Sequence, residues 1–314
     1  MNRFKNIIYI PETADKKEEA VAAAVQSLAR KNNAEVCVVG TFEERQSEQI
    51  GKIFSSRLKS LPDLVIQQRR EELLESITAD GWKGISVSAE LLQGKDFIAI
   101  IQKVLRDGHD LIIKKRVIQE GGDLLAMRLF RKCPCPVWVI SDSESVSCKT
   151  VLAALDLGNN QPENRLLNRT LIDLAVSLAG GTRQGEVHYL HAWRLEFEAM
   201  MHSPRFNLSL DEVAGIKEEV WCSYKDTLDG LFQKIRLDVS PANIHILEGE
   251  TVEVIQRTID FLGVDLLLMG AIARTGVPGL IIGNTAEKVL SQVDCSVLVV
   301  KPEGYVSPVK MEEK

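Results

Sequence analysis

No run of apolar residues in the 314-residue chain is long enough to cross a bilayer. The opening stretch MNRFKNIIYIPETADKKEEA turns polar and acidic too early for a secretory signal, so a cytoplasmic protein is expected. Basic excess is missing too. A net charge of −6 offers no cationic stripe, which disfavours nucleic acid and anionic membrane surfaces as partners. The six cysteines contain no Cys-x-x-Cys pair, and most sit inside apolar runs, so they read as buried free thiols rather than disulfides or metal ligands. Gly-x-Ser-x-Gly and His-Glu-x-x-His are absent, and the two Ser-x-x-Lys matches, Ser56–Lys59 and Ser307–Lys310, have no companion motif, which leaves no sign of a nucleophilic or zinc hydrolase. Of the five histidines, His188 and His191 lie three apart on a predicted strand and so face opposite ways; no metal site is expected from them.

What is present is an order of elements that occurs twice. Ile7–Ile10, Ala34–Gly40, Ile85–Leu91, Asp110–Lys114 and Pro136–Ile140 read as strands, with helical spacing between them. Lys16–Arg30 and Asp96–Asp107 are the clearest of these helices, and a charged stretch from Glu43 to Asp80 has helical character broken by Pro62. After a polar link the order resumes: strands at Val151–Leu155, Gly185–Trp193, Asn243–Leu247 and Val264–Met269, helices at Arg165–Ala179, Asp211–Lys234 and Thr251–Leu262. The halves align through HDLIIK with VDLLLM, offset by 155 positions, and CPVWVI with CSVLVV, offset by 160. The chain thus reads as two tandem α/β domains, 1–144 and 145–314, and the second carries five extra residues after its fourth strand.

Those extra residues fall in a glycine-rich loop between a buried strand and a helix. Gly270, Gly276, Gly279 and Gly283 interrupt the apolar pattern, and a helical face of Ala286, Val289, Leu290 and Val293 follows. A strand, a glycine loop and a helix N-terminus together form a cradle for phosphate, because backbone N–H groups can approach the anion and the helix dipole favours it. No Gly-Lys-Ser/Thr closes the loop, so it is not a P-loop. The corresponding segment of the first half, KRVIQEGGDLLAMRLFRKCP, places Glu120 and Asp123 beside Gly121 and Gly122, and those carboxylates would repel a phosphate. Gly121 there reads as a turn residue. Asp156 ends the first strand of the second half, at the edge where open α/β sheets bind ligands; it either accepts hydrogen bonds from a nucleoside or caps the turn.

The loop resembles the nucleotide loop of the universal stress protein family: glycine, two residues, glycine, nine residues, glycine, then a small polar residue. Gly270, Gly283 and Asn284 fill three of these places, and Ala273 stands where the second glycine belongs. The tandem layout, LFRKCPCPVWVISD, IARTGVPGLIIGNTAEKVL and KPEGYVSPV extend the resemblance over nearly the whole chain. It implies two doubly wound, Rossmann-like domains, each a five-stranded parallel sheet of order 3-2-1-4-5, with domains pairing within a chain or between copies. It also implies an adenine nucleotide, ATP with Mg²⁺ brought by the nucleotide, at Leu155, Asp156, Ala192, Met269, Gly270, Ala273, Arg274, Gly283, Asn284 and Thr285. No residue is placed as a base, so at most a weak ATPase is expected. A competing expectation rests on the Met- and Phe-rich segment 195–210, which suits a lid or a contact for a protein or amphipathic partner.

Overall fold

The computed structural model describes residues 3–12, 16–43, 61–120, 122–143, 146–180, 185–201, 203, 205–271 and 284–311. In the first half, β1 (Asn6–Ile10), β2 (Glu35–Phe42), β3 (Val87–Gln93), β4 (Leu111–Lys115) and β5 (Val137–Ile140) are joined through α1 (Lys16–Asn32), α2 (Leu61–Ser76), α3 (Asp96–Asp107) and α4 (Leu124–Lys132). The second half runs β6 (Thr150–Ala154), α5 (Pro162–Ala179), β7 (Glu186–Trp193), a single turn α6 (Glu198–Met201) and α7 (Leu210–Ile235). It closes with β8 (Ile244–Glu248), α8 (Thr251–Leu262), β9 (Leu266–Gly270), α9 (Asn284–Gln292) and β10 (Ser296–Val300). Pro62 lies in the first turn of α2, where an N–H has no intrahelical partner to lose, and residues 44–60 of the charged stretch lie outside the described residues.

The expected order 3-2-1-4-5 recurs in both halves with parallel pairing throughout each. Two separate sheets do not form, however. β5 and β10 pair antiparallel, Val139 with Val297, Trp138 with Leu298 and Val137 with Val299, and this fuses the halves into one ten-stranded sheet. The boundary expected between 144 and 145 falls outside the described residues. Apolar side chains fill both faces: α3, α4, α8 and α9 cover one, and α1, α5 and α7 the other. Each core layer crosses the seam, because alternate residues of β5 and β10 enter opposite layers.

The halves agree in detail. α3 and α8 are each twelve residues long, bury one apolar face, and end on a glycine in the left-handed region, Gly108 (φ 69°) and Gly263 (φ 62°). There a side chain would be strained, and the glycine N–H caps the last turn. Eight residues, 116–123, separate β4 from α4, whereas thirteen, 271–283, separate β9 from α9, so the five additional residues do lie in that loop.

The last helix of each half is capped by the other half. Arg116 donates to the carbonyls of Val293 and, at 2.8 Å, Cys295 beyond α9. At the end of α4, Lys301, Tyr305 and Ser307 donate to the carbonyls of Phe130, Arg131 and Lys132, which would otherwise lack partners. Leu298 is fully buried at the centre of the seam, so Leu298→Ala is expected to lower stability by about 2–5 kcal/mol. Hydrogen exchange should then show lost protection in β4 as well as β9. Loss confined to β9 would mean that the halves hold together independently of the seam.

Candidate functional site

The carboxyl ends of β6, β7 and β9 converge on one edge of the second half. Ala154 is in register with both Met269 and Leu190, and the Leu155 N–H donates to the Leu190 carbonyl at 2.8 Å. Leu155, Asp156, Ala192, Met269 and Gly270 are therefore brought to a single rim. Thr285 lies in the first turn of α9, at the far end of the loop that leaves β9. Ala273, Arg274 and Gly283 lie outside the described residues, as does the side chain of Asn284. A Cβ on Gly270 would come within 2.6 Å of Leu167 Cδ2, so close packing of α5 on β9 already asks for glycine there.

The turn after β6 is held from below. Asn164 and Asn168, buried on α5, donate to the Asp156 carbonyl at 2.6 and 2.8 Å, and Asn168 Oδ1 accepts from the Asp156 N–H at 3.2 Å. His191 Nδ1 lies 3.1 Å from the Leu155 carbonyl and 3.3 Å from the Leu157 N–H, so its tautomer decides which it serves. The Tyr224 ring packs edge-on against His191, with centroids 4.4 Å apart, and tilts against Trp193. Both Asp156 Oδ1 and Tyr224 Oη lie 3.7 Å from where a Cβ would stand on Gly158. Burial first, then the carboxylates of Asp156 and Glu196, push the Tyr224 phenol pKa up, so it remains a neutral hydroxyl. The rim thus presents a carboxylate, a hydroxyl and aromatic edges on a turn that cannot easily move.

Sequence reasoning missed Asn164, Asn168, His191, Tyr224 and Trp193 as parts of this site. The one available signal was an Asn pair spaced four apart on an otherwise apolar face of α5. The reading of the histidines stands: His188 pairs with His245, Nδ1 to Nε2 at 3.1 Å, on the face opposite His191. Among the described residues no three His, Cys, Asp or Glu side chains cluster as metal ligands.

The matching place in the first half is filled. Glu12, Lys114 and Asp123 occupy the positions of Asp156, Met269 and Gly283 under the offsets of 144, 155 and 160 that align the halves. The Lys114 ammonium is fully buried and bridges Glu12 at 2.9 Å and Asp123 at 2.6 Å. Asp123 in turn caps α4, accepting from the Ala126 N–H at 2.9 Å, and accepts from the Val117 N–H at 3.0 Å. A carboxylate of the chain itself therefore serves the helix N-terminus, and an internal ion triad takes the space. Of the two carboxylates expected there, Asp123 is the one that enters this triad. Gly121 lies outside the described residues.

Residues 148–301 match the universal stress protein family. The chain is similar to universal stress protein E of Escherichia coli K12, with 27% identity over 80% of this chain and 79% of that protein. It is similar as well to the universal stress protein E homolog of Haemophilus influenzae, with 26% identity over 96% and 98%. The crystal structure of a putative universal stress protein from Pseudomonas aeruginosa shares the fold, with a TM-score of 0.67, 24% identity and coverage of 96% and 95%.

Removing one member of a buried ion group strands the others. Asp123→Ala should destabilise the protein by about 3–5 kcal/mol in urea unfolding, because Lys114 loses a buried partner. Asp123→Ala with Lys114→Met should cost less than the two single changes summed. Additive costs would mean that the triad is not coupled.

Proposed function

From a chain whose residues 148–301 belong to the universal stress protein family, we propose a protein that binds one adenine nucleotide, ATP, in its second half. The observation that carries this reading is the contrast between two equivalent places: one closed by Glu12, Lys114 and Asp123, the other lined by Asp156, Met269 and a loop five residues longer. In this reading Asp156 and Tyr224 receive the nucleoside at the rim. The phosphates lie toward the loop and the first turn of α9, where Asn284 and Thr285 stand and where the helix dipole favours an anion. Mg²⁺ arrives with the nucleotide. No described side chain is set beside that place as a base, so hydrolysis is slow at most. The protein works in the cytoplasm as a binding module of the stress response.

A second reading has an observation of its own. In the segment 195–210, Phe197, Met200, Phe206 and Leu210 are exposed, Phe197 by 70% and Leu210 by 79%. Apolar side chains left in water beside the rim suit a protein or amphipathic partner. Native mass spectrometry separates the two readings, since a retained nucleotide and a retained lipid-like molecule differ in mass.

Calorimetric titration with ATP is expected to return one site per chain. Asp156→Ala should weaken binding about tenfold, about 1.4 kcal/mol, while Glu12→Ala leaves affinity unchanged. Two equivalent sites, or an Asp156→Ala variant that binds as well as the parent, would overturn the proposal.

A further inference from the structure

Cys133 and Cys135 belong to no part of the nucleotide reading, yet their sulfurs touch. Sγ lies 3.4 Å from Sγ, with Pro134 between the two residues. Two residues of chain span at most about 7 Å, so only a modest bend at Pro134 brings the Cα atoms within the range that a disulfide bridges. Pro134 holds its φ near the fixed ring value and limits how far the two side chains can swing apart. Cys133 ends α4, its N–H donating to the Leu129 carbonyl at 2.8 Å, and Cys135 leads into β5, so both are placed by regular structure. All six cysteines are free thiols, with Cys37, Cys133, Cys135 and Cys295 buried, Cys148 half-buried and Cys222 exposed.

The surroundings bear on the chemistry. Lys301, the first residue after β10, is buried, donates to the Phe130 carbonyl and lies close enough to Cys133 to interact with it electrostatically. Burial lowers its ammonium pKa to about 7, so above that pH an amine is at hand to take a proton. The Cys133 contact, burial and neighbouring charges raise the Cys135 thiol, and the pair therefore rests as two thiols. Cys133 is closed to solvent and Cys135 is 8% exposed. The tail from Lys301 to Lys310 lies over the end of α4, through Tyr305, Ser307 and the bond from Gln102 to the Lys310 carbonyl, 3.0 Å. The slight exposure of Cys135 is the opening through which the proposal has a small oxidant enter.

We propose that Cys133 and Cys135 form a reversible dithiol–disulfide pair at the seam between the halves, closed by a peroxide and reopened by a dithiol reductant. The Cys135 thiol first loses its proton to a base; the resulting thiolate displaces hydroxide from hydrogen peroxide and becomes a sulfenic acid, and the hydroxide takes up that proton from the base to leave as water. The Cys133 sulfur then attacks the Cys135 sulfur, the S–S bond forms, and the sulfenic oxygen departs as a second water. In sum, two thiols and one peroxide give one disulfide and two waters. Reduction returns two hydrogens from the dithiol, which is itself oxidised. A disulfide spanning a single residue is strained, and strained disulfides are the readily reduced, regulatory kind.

The test uses the full chain, reduced, exposed to excess hydrogen peroxide, and alkylated with N-ethylmaleimide before tryptic digestion and mass spectrometry. The expected result is a peptide beginning at Cys133 that is lighter by two hydrogens, with Cys133 and Cys135 unalkylated and Cys148 alkylated, and reversed by dithiothreitol. In Cys133→Ser the sulfenic acid should persist on Cys135 and be trapped by dimedone. The proposal fails if both thiols are alkylated when Cys148 or Cys222 has already been oxidised, or if Cys135 is found joined to Cys295. The parent protein decides the matter even where the variant folds poorly.

Discussion

Three residue pairs across β5 and β10 make one molecule out of two domains. Strands at equivalent places in two copies of a fold can meet side by side if the copies are related by a two-fold rotation, and a two-fold rotation makes them antiparallel. The sheet is therefore parallel in each half and antiparallel only at its middle. Each half would otherwise expose the edge of its last strand, a template for unwanted pairing. Meeting at the seam removes both edges, continues both core layers across it, and places the end of each final helix within reach of capping groups from the other half.

Within that symmetric frame the two equivalent sheet edges are built differently. A helix N-terminus needs an acceptor, and either a bound anion or a side-chain carboxylate can supply it. Asp123 supplies it in the first half, and Lys114 and Glu12 complete a neutralising set around it. Such a triad trades desolvation against attraction and gains its value by leaving no group unpaired. In the second half the lysine position is Met269, an apolar side chain, and the rim relies on Asn164 and Asn168 to fix its turn.

Much of this was legible in the sequence because it is local. The alternation of strands and helices, the repeat of that order and the five-residue excess in one loop follow from spacing, whereas the strand order comes from the family resemblance. Val137, Trp138 and Val139 read as a buried strand, but nothing in their spacing says that Val297, Leu298 and Val299 are their neighbours, since pairing between domains is a long-range choice among similar strands. His191 and Tyr224 lie far apart in the chain and meet only because α7 crosses β7. Cys133 and Cys135 could be read as buried, yet their contact depends on how the chain turns from α4 into β5.

The seam also changes what concentration means for this fold. Had the halves been separate chains, their joining would depend on dilution, and each would spend part of its time with an open strand edge. Carried on one chain, with the link between β5 and β10's domain only as long as the stretch from Ser141 to Lys149, they meet at an effective concentration that the cell's content of the protein does not alter. Assembly is thereby independent of expression level.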